Sequence, residues 1–152
     1  MLEKLNSTVD DISAINSKLV ILTGQSQLGK SKLLLQLAEL RQVRILNVSA
    51  ALGHALLMLP SSQRHLQAAD KLKELANEFA SRELLLLDNI ELLFDQSLQL
   101  NPLDLLKRHA HVRCVVTVWP GELREDRLSY AETGHPEHQE YGLAGLVPFR
   151  IQ

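Results

Sequence analysis

The sequence predicts an α/β domain whose sheet is mostly parallel. Short apolar runs at 18–24, 83–88 and 112–119 are typical of buried strands. Between these runs, apolar residues recur at helical spacing. Strands that alternate with helices are joined by crossover connections, which make neighbouring strands parallel. With 152 residues and neither an internal repeat nor a linker segment, residues 1–152 are predicted to form one domain.

The elements follow in order along the chain. Leu2, Leu5 and Val9 recur at helical spacing, so residues 1–16 are predicted to form an amphipathic helix. The first strand, at 18–24, ends in a glycine that starts a turn. The other elements are predicted as helix 30–41, strand 42–49, helix 50–59, helix 63–80, strand 83–88, helix 102–109, strand 112–119 and a last strand at 146–151.

Two features are predicted near the end of the chain. Residues 121–145 are polar and contain glycine and proline, which predicts a polar loop region. Pro148 lies inside the last apolar run and lacks the N–H that a central strand donates on one side. The last strand is therefore predicted at an edge of the sheet.

Composition and charge limit the partners and the compartment. The net charge is −2, so the basic footprint of a nucleic-acid binder is missing, and direct DNA binding is disfavoured although not excluded. Cys114 is the single cysteine, which rules out an internal disulfide and fits a reducing compartment. No run approaches the roughly 18–20 apolar residues of a membrane span, and the N-terminus has no signal-peptide pattern. The expected location is cytoplasmic, without membrane contact.

The segment at 24–31 reads GQSQLGKS and matches the P-loop (Walker A) pattern G-x-x-x-x-G-K-[ST]. Its glycines let the backbone wrap around phosphate, and the N-terminus of the following helix favours an anion. Lys30 is expected to reach the β- and γ-phosphates, and Ser31 to ligate Mg²⁺. The alternative is a glycine-containing turn without a ligand. The predicted nucleotide-binding residues are Gly24, Gln25, Ser26, Gln27, Leu28, Gly29, Lys30 and Ser31.

The apolar strand at 84–88 ends in an acidic residue, Asp88. A carboxylate at the tip of a buried strand is costly unless it faces a cation. Asp88 therefore resembles the Walker B aspartate, which positions Mg²⁺ beside a P-loop. The alternative is a carboxylate that caps the next helix. Because the chain has no N-K-x-D motif for guanine, the expected ligands are ATP and Mg²⁺.

With these two motifs the chain resembles the additional-strand (AAA-like) P-loop NTPases. The resemblance implies a three-layer core with a five-stranded parallel sheet in the order 5-1-4-3-2. More narrowly, the chain is similar to the BrxF family, the small P-loop proteins of type 3 BREX phage-defence systems. That similarity rests on length, on GQSQLGKS and LLLLDNIELLF, and on the tail RLSYAETGHPEH, and it covers nearly the whole chain. A C-terminal helical lid domain is expected to be missing, which puts autonomous ring motor activity in doubt.

The resemblance also implies candidates for catalysis. Most additional-strand ATPases carry a glutamate directly after the Walker B aspartate, whereas this chain has Asn89 there. Glu91 lies about one helical turn past Asp88 and could orient the attacking water. Its alternative role is a first-turn carboxylate on a helix, favoured by the dipole.

Three further residues match family positions less specifically. Thr117 in the fourth strand corresponds to the polar residue called sensor 1, or is simply a β-branched strand residue. Arg124 and Arg127 lie where AAA-like rings supply arginine fingers to a neighbour. Their alternative is a pair of solvated arginines beside Glu122.

Three functions fit these motifs. The first is a nucleotide-dependent switch, or ATPase subunit, that binds Mg²⁺–ATP and changes its contacts with other BREX-system proteins. The second is a self-sufficient ATPase, active as a homo-oligomer whose neighbours supply Arg124 or Arg127. The third is a small P-loop kinase, disfavoured because residues 121–145 hold few arginines for a lid.

Overall fold

The computed structural model describes residues 1–12, 18–24, 27–81, 83–131 and 138–151. The predicted first helix extends into 13–17, which lie outside the described residues. No described helix has the length and apolar character needed to cross a membrane. The helices are α1 Leu2–Ile12, α2 Gln27–Arg41, α3 Val48–Leu57, α4 Arg64–Phe79 and α5 Pro102–Ala110. The strands are β1 Leu19–Thr23, β2 Ile45–Asn47, β3 Leu84–Asp88, β4 Cys114–Val118, β5 Glu122–Arg124, β6 Arg127–Tyr130, β7 Gln139–Tyr141 and β8 Val147–Arg150.

Five strands form the main sheet, and all of its neighbouring pairs are parallel. Their order is β2-β3-β4-β1-β8. Counting β8 as the fifth strand of this sheet and reading from the other edge gives the predicted order 5-1-4-3-2. The strand that contains Pro148 lies at an edge, as its missing N–H required.

Two apolar layers cover the sheet because successive strand residues point to opposite faces. In β3, Leu85 and Leu87 face the layer that holds residues of α3, α4 and α5, whereas Leu84 and Leu86 face the layer that holds residues of α1 and α2. Every residue of β1, β3 and β4 is buried. This arrangement of helices on both faces is compatible with a three-layer α/β fold.

The region predicted as a polar loop, 121–145, contains a small antiparallel sheet in the order β5-β6-β7. The prediction was wrong for these strands because β5 and β7 are short and mostly solvent-exposed, so they carry no apolar alternation. Glu125 and Asp126 connect β5 to β6 with φ of 50° and 61°. Two-residue hairpin turns of this kind usually contain glycine or asparagine, so the sequence lacked the usual signal.

Several element boundaries differ from the predicted ones. The second strand is confined to Ile45–Asn47 because α3 begins directly after it, where the Asn47 side chain accepts the N–H of Ala50 at 3.0 Å. Helix α2 begins at Gln27 rather than at Lys30, so the second half of the P-loop pattern lies in its first turn.

Candidate functional site

Three neighbouring strands of the main sheet end at its carboxyl edge, the side of the sheet at which the parallel strands finish. Strand β1 ends at Thr23, β3 at Asp88 and β4 at Val118, and the parallel pairing brings their carboxyl ends together. Ligands of open parallel sheets bind at this edge. Helix α2 begins there too, so the N–H groups of its first turn and the positive end of its dipole lie at the same place.

Gly24 makes the turn from β1 towards α2. Its φ is +155°, and a Cβ atom there would lie 3.0 Å from the carbonyl oxygen of Ile151. A side chain at this position would be strained and crowded against backbone, so the turn requires glycine. Gln25 and Ser26, which follow in the predicted loop, lie outside the described residues.

The remaining residues of the pattern occupy the first turn of α2. Leu28 is exposed, Gly29 is helical, and Ser31 is half-buried. Lys30 is buried, with 2% of its surface exposed, and its Nζ donates a hydrogen bond to the Trp119 carbonyl oxygen at 2.6 Å. Within the P-loop pattern, the structure therefore places a buried cation at the carboxyl edge of the sheet.

Burial lowers the pKa of Lys30 from its ordinary value of 10.5, because an ammonium loses hydration there. The carboxylates of Asp88, Glu122 and Glu91 oppose this shift, in that order of strength. Three acidic side chains thus lie close enough to act on the ammonium. Two of them, Asp88 and Glu91, are predicted site residues; Glu122 was predicted only as a surface neighbour of the arginines.

Asp88 is the last residue of β3 and is buried at the edge of the sheet. Its place in the alternation of β3, in step with Leu84 and Leu86, puts it on the same face as α2. Its Oδ1 accepts the N–H of Asn89 at 2.8 Å. Asp88 and Lys30 therefore share one face and one edge.

The oxygen atoms of Ser31 and Asp88 are suitable ligands for a Mg²⁺ ion that also binds phosphate. Among the residues that the structure describes, no three His, Cys, Asp or Glu side chains form a metal cluster. Magnesium bound beside a nucleotide needs only one or two carboxylates, because phosphate oxygens and water complete its shell. The hydroxyl of Ser31 and the carboxylate of Asp88 are the ligand types that such a site uses.

Glu91 lies in a short 3-10 helix, Ile90–Phe94, and is exposed. Asn89 separates this helix from β3 and adopts a left-handed conformation with φ of 51°. The carbonyl of Asn89 accepts both the backbone N–H of Ser49, at 2.8 Å, and its hydroxyl, at 2.5 Å. The segment after Asp88 is thus anchored to the start of α3, and Glu91 remains near enough to affect Lys30.

Thr117 is not brought to the Lys30 group. It is fully buried in the main sheet, where its register partners are Ile21 and Leu87, and its alternation places it on the face opposite α2. Its hydroxyl lies 3.5 Å from the Val118 carbonyl oxygen. At the end of β4 it is the carbonyl of Trp119 that contacts Lys30.

Arg124 and Arg127 lie exposed on the small sheet. The Nε of Arg124 is 2.5 Å from a Glu122 carboxylate oxygen, and the Nε of Arg127 is 3.8 Å from one of Glu140. These are surface ion pairs within the chain, of a kind that contributes little to stability. A role as arginine fingers in a neighbouring subunit stays a prediction.

Sequence reasoning missed two members of the site. Trp119 takes part through its backbone carbonyl, and residue type gives no signal for a backbone contact; its position directly after β4 was the available clue. Glu122 acts across space from the start of β5, a strand that was not predicted.

Comparison with known proteins adds no family. The chain matches no protein-family model, no curated protein and no solved structure. The similarity to the BrxF family therefore stays a prediction from the sequence.

Proposed function

We propose that this protein binds Mg²⁺–ATP at the carboxyl edge of its parallel sheet and acts as a nucleotide-dependent switch. The observation that carries the proposal is the buried ammonium of Lys30 in the first turn of α2, on the same face and edge as Asp88. A buried cation that costs hydration is explained if phosphate is its intended partner.

Each residue of the site has a proposed role that follows from its chemistry. Gly24 gives the backbone a turn that no larger residue fits, so phosphate can approach the start of α2. Lys30 would donate charge-assisted hydrogen bonds to the β- and γ-phosphates. Ser31 and Asp88 would hold Mg²⁺, which when bound neutralises part of the phosphate charge.

A specific observation favours hydrolysis as a second candidate function. Two carboxylates, Glu91 and Glu122, lie close enough to act on Lys30, and either could orient a water near a γ-phosphate. Neither directly follows Asp88, where Asn89 stands instead. We therefore propose slow turnover by the chain alone, with faster turnover only when a partner or a second copy completes the site.

The biological setting rests on the sequence resemblance. A BrxF-like protein would act in the cytoplasm, in a BREX defence complex with other proteins of that system. In a homo-oligomer, Arg124 or Arg127 could serve a neighbour's site, because both are exposed. The net charge of −2 favours protein partners over direct contact with DNA.

Calorimetric titration with a non-hydrolysable ATP analogue tests the proposal directly. We expect saturable binding with Mg²⁺, weaker binding when EDTA removes the metal, and weaker binding of the GTP analogue. Absence of binding at millimolar Mg²⁺–nucleotide would refute the proposal. Light scattering of the same samples then separates the two candidates, because a nucleotide-dependent rise in mass favours the oligomeric ATPase.

A further inference from the structure

Trp119 contacts both the candidate site and the small antiparallel sheet. Its backbone carbonyl accepts a hydrogen bond from the Lys30 ammonium at 2.6 Å, and its indole Nε1 donates one to the Ser129 carbonyl oxygen on β6 at 2.9 Å. The ring is fully buried. One residue therefore joins Lys30 to the sheet β5-β6-β7.

Aromatic packing strengthens the same connection. Phe94 stacks on Tyr130 of β6 with centroids 3.9 Å apart, and it meets the Trp119 ring edge-on at 5.5 Å. Tyr141 of β7 also meets Trp119 edge-on, at 5.7 Å. Since Phe94 belongs to the turn that follows Asp88, the small sheet packs on segments next to both Lys30 and Asp88.

The chain directly after Trp119 is fixed against β6. A Cβ atom on Gly121 would lie 1.7 Å from the Ser129 carbonyl oxygen, the same atom that accepts the indole N–H. No side chain fits there without moving β6. Gly142, which follows β7, is different, because a Cβ atom there would meet nothing within 4 Å.

We propose that Trp119 is a positioning residue through which phosphate bound at Lys30 changes the β5-β6-β7 sheet. The inference rests on the proposed nucleotide function. Phosphate oxygens carry full negative charge and draw the ammonium from the neutral carbonyl of Trp119, because charge-assisted hydrogen bonds are the stronger ones. The free and bound states then differ in one defined contact, which is what a ligand needs in order to shift a conformational equilibrium. The small sheet is the surface that reports nucleotide to a partner.

The test uses two probes on the full chain. Trp119 is the single tryptophan, so its fluorescence emission reports this residue alone. Backbone hydrogen exchange, read by mass spectrometry, reports β5 and β6. With a Mg²⁺–ATP analogue we expect a shift in emission and at least a twofold change in the exchange rates of β6. Gly142→Ala should respond like the wild type, whereas Gly121→Ala should bind the analogue within threefold of wild type and lose the response of β6.

Two further variants test the same contacts from other positions. If Gly121→Ala fails to fold by circular dichroism, Tyr130→Leu, which removes the stack on Phe94, should show the same loss of response. Without nucleotide, Lys30→Met should by itself shift the emission and raise exchange in β6.

Binding seen by calorimetry together with unchanged emission and exchange would overturn the inference and leave ATP binding intact. Unchanged emission in Lys30→Met would also overturn it. Wild-type protein that binds no nucleotide would overturn the proposed function and this inference together.

Discussion

Replacing Lys30 by methionine is expected to weaken Mg²⁺–ATP binding by about 10- to 150-fold. Among the residues that the structure describes, the ammonium donates one charge-assisted hydrogen bond, to the Trp119 carbonyl at 2.6 Å. On binding nucleotide it would exchange that hydrogen bond for two, one to the β-phosphate and one to the γ-phosphate. The net gain is one bond to a charged group, worth about 1.5–3 kcal/mol, and each 1.4 kcal/mol is a factor of about ten. Methionine fills the buried volume without the charge.

Lys32→Met is the matched control. Lys32 lies two residues further along α2 and is exposed, so its replacement removes the same charge from the same helix without touching the site. Its affinity should stay within about twofold of wild type, since exposed charges contribute little. Calorimetry at constant ionic strength gives both affinities, and thermal melts establish that both variants are folded. Equal affinities of Lys30→Met and wild type, or equal losses in the two variants, would contradict the assignment of Lys30.

Three further predictions concern charge and burial. If the chain hydrolyses ATP, steady-state phosphate release should fall at least tenfold in either Glu91→Gln or Glu122→Gln, while nucleotide affinity is unchanged. If phosphate release falls in neither variant, neither carboxylate is the base. Because the pKa of Lys30 is lowered in the folded state, the unfolded chain binds more protons than the folded chain just below pH 10.5. The free energy of unfolding of the wild type, relative to that of Lys30→Met, should therefore rise between pH 7 and pH 10 in urea titrations. A constant or falling difference would show that burial does not dominate at Lys30. Burial raises the pKa of Cys114 from 9.0 to about 11. At pH 8 its reaction with a thiol reagent should therefore be about a hundredfold slower in the folded than in the urea-unfolded protein, because the thiolate is the reactive form. Equal rates would mean that the thiol is exposed.

The main sheet was predictable because each of its central strands is buried on both faces. Such strands have to be apolar along almost their whole length, as LVILT, LLLLD and CVVTV are. The edge position of β8 followed from one atom, the missing N–H of Pro148. The small sheet was not predictable, since β5, β6 and β7 are three or four residues long, and β6 and β7 pack on Phe94 and Trp119 through Tyr130 and Tyr141. That packing depends on tertiary contacts that no local pattern encodes.

The site divides along a similar line. Side chains whose chemistry is specific, Lys30 and Asp88, were found from motif and strand position, and the structure brings them to one edge. Thr117 was selected as the polar residue of β4, but its parity in the strand turns it to the opposite face. The contact at the end of β4 comes from a carbonyl of Trp119, and every residue has a carbonyl.

Three features that carry a cost in stability lie where strands of the main sheet end. Gly24 has a φ open to few other residues, Asn89 is left-handed without being glycine, and Lys30 is a buried cation. Glycine at the first position costs conformational entropy, the left-handed Asn89 costs strain, and the burial of Lys30 costs desolvation. A sequence that specified only a stable sheet would have no reason to bury a lysine on the same face as Asp88, beside the carboxyl ends of the strands. That placement is the physical argument for the proposed ligand, because a lysine, a helix N-terminus and a carboxylate that could hold Mg²⁺ together suit a nucleotide phosphate.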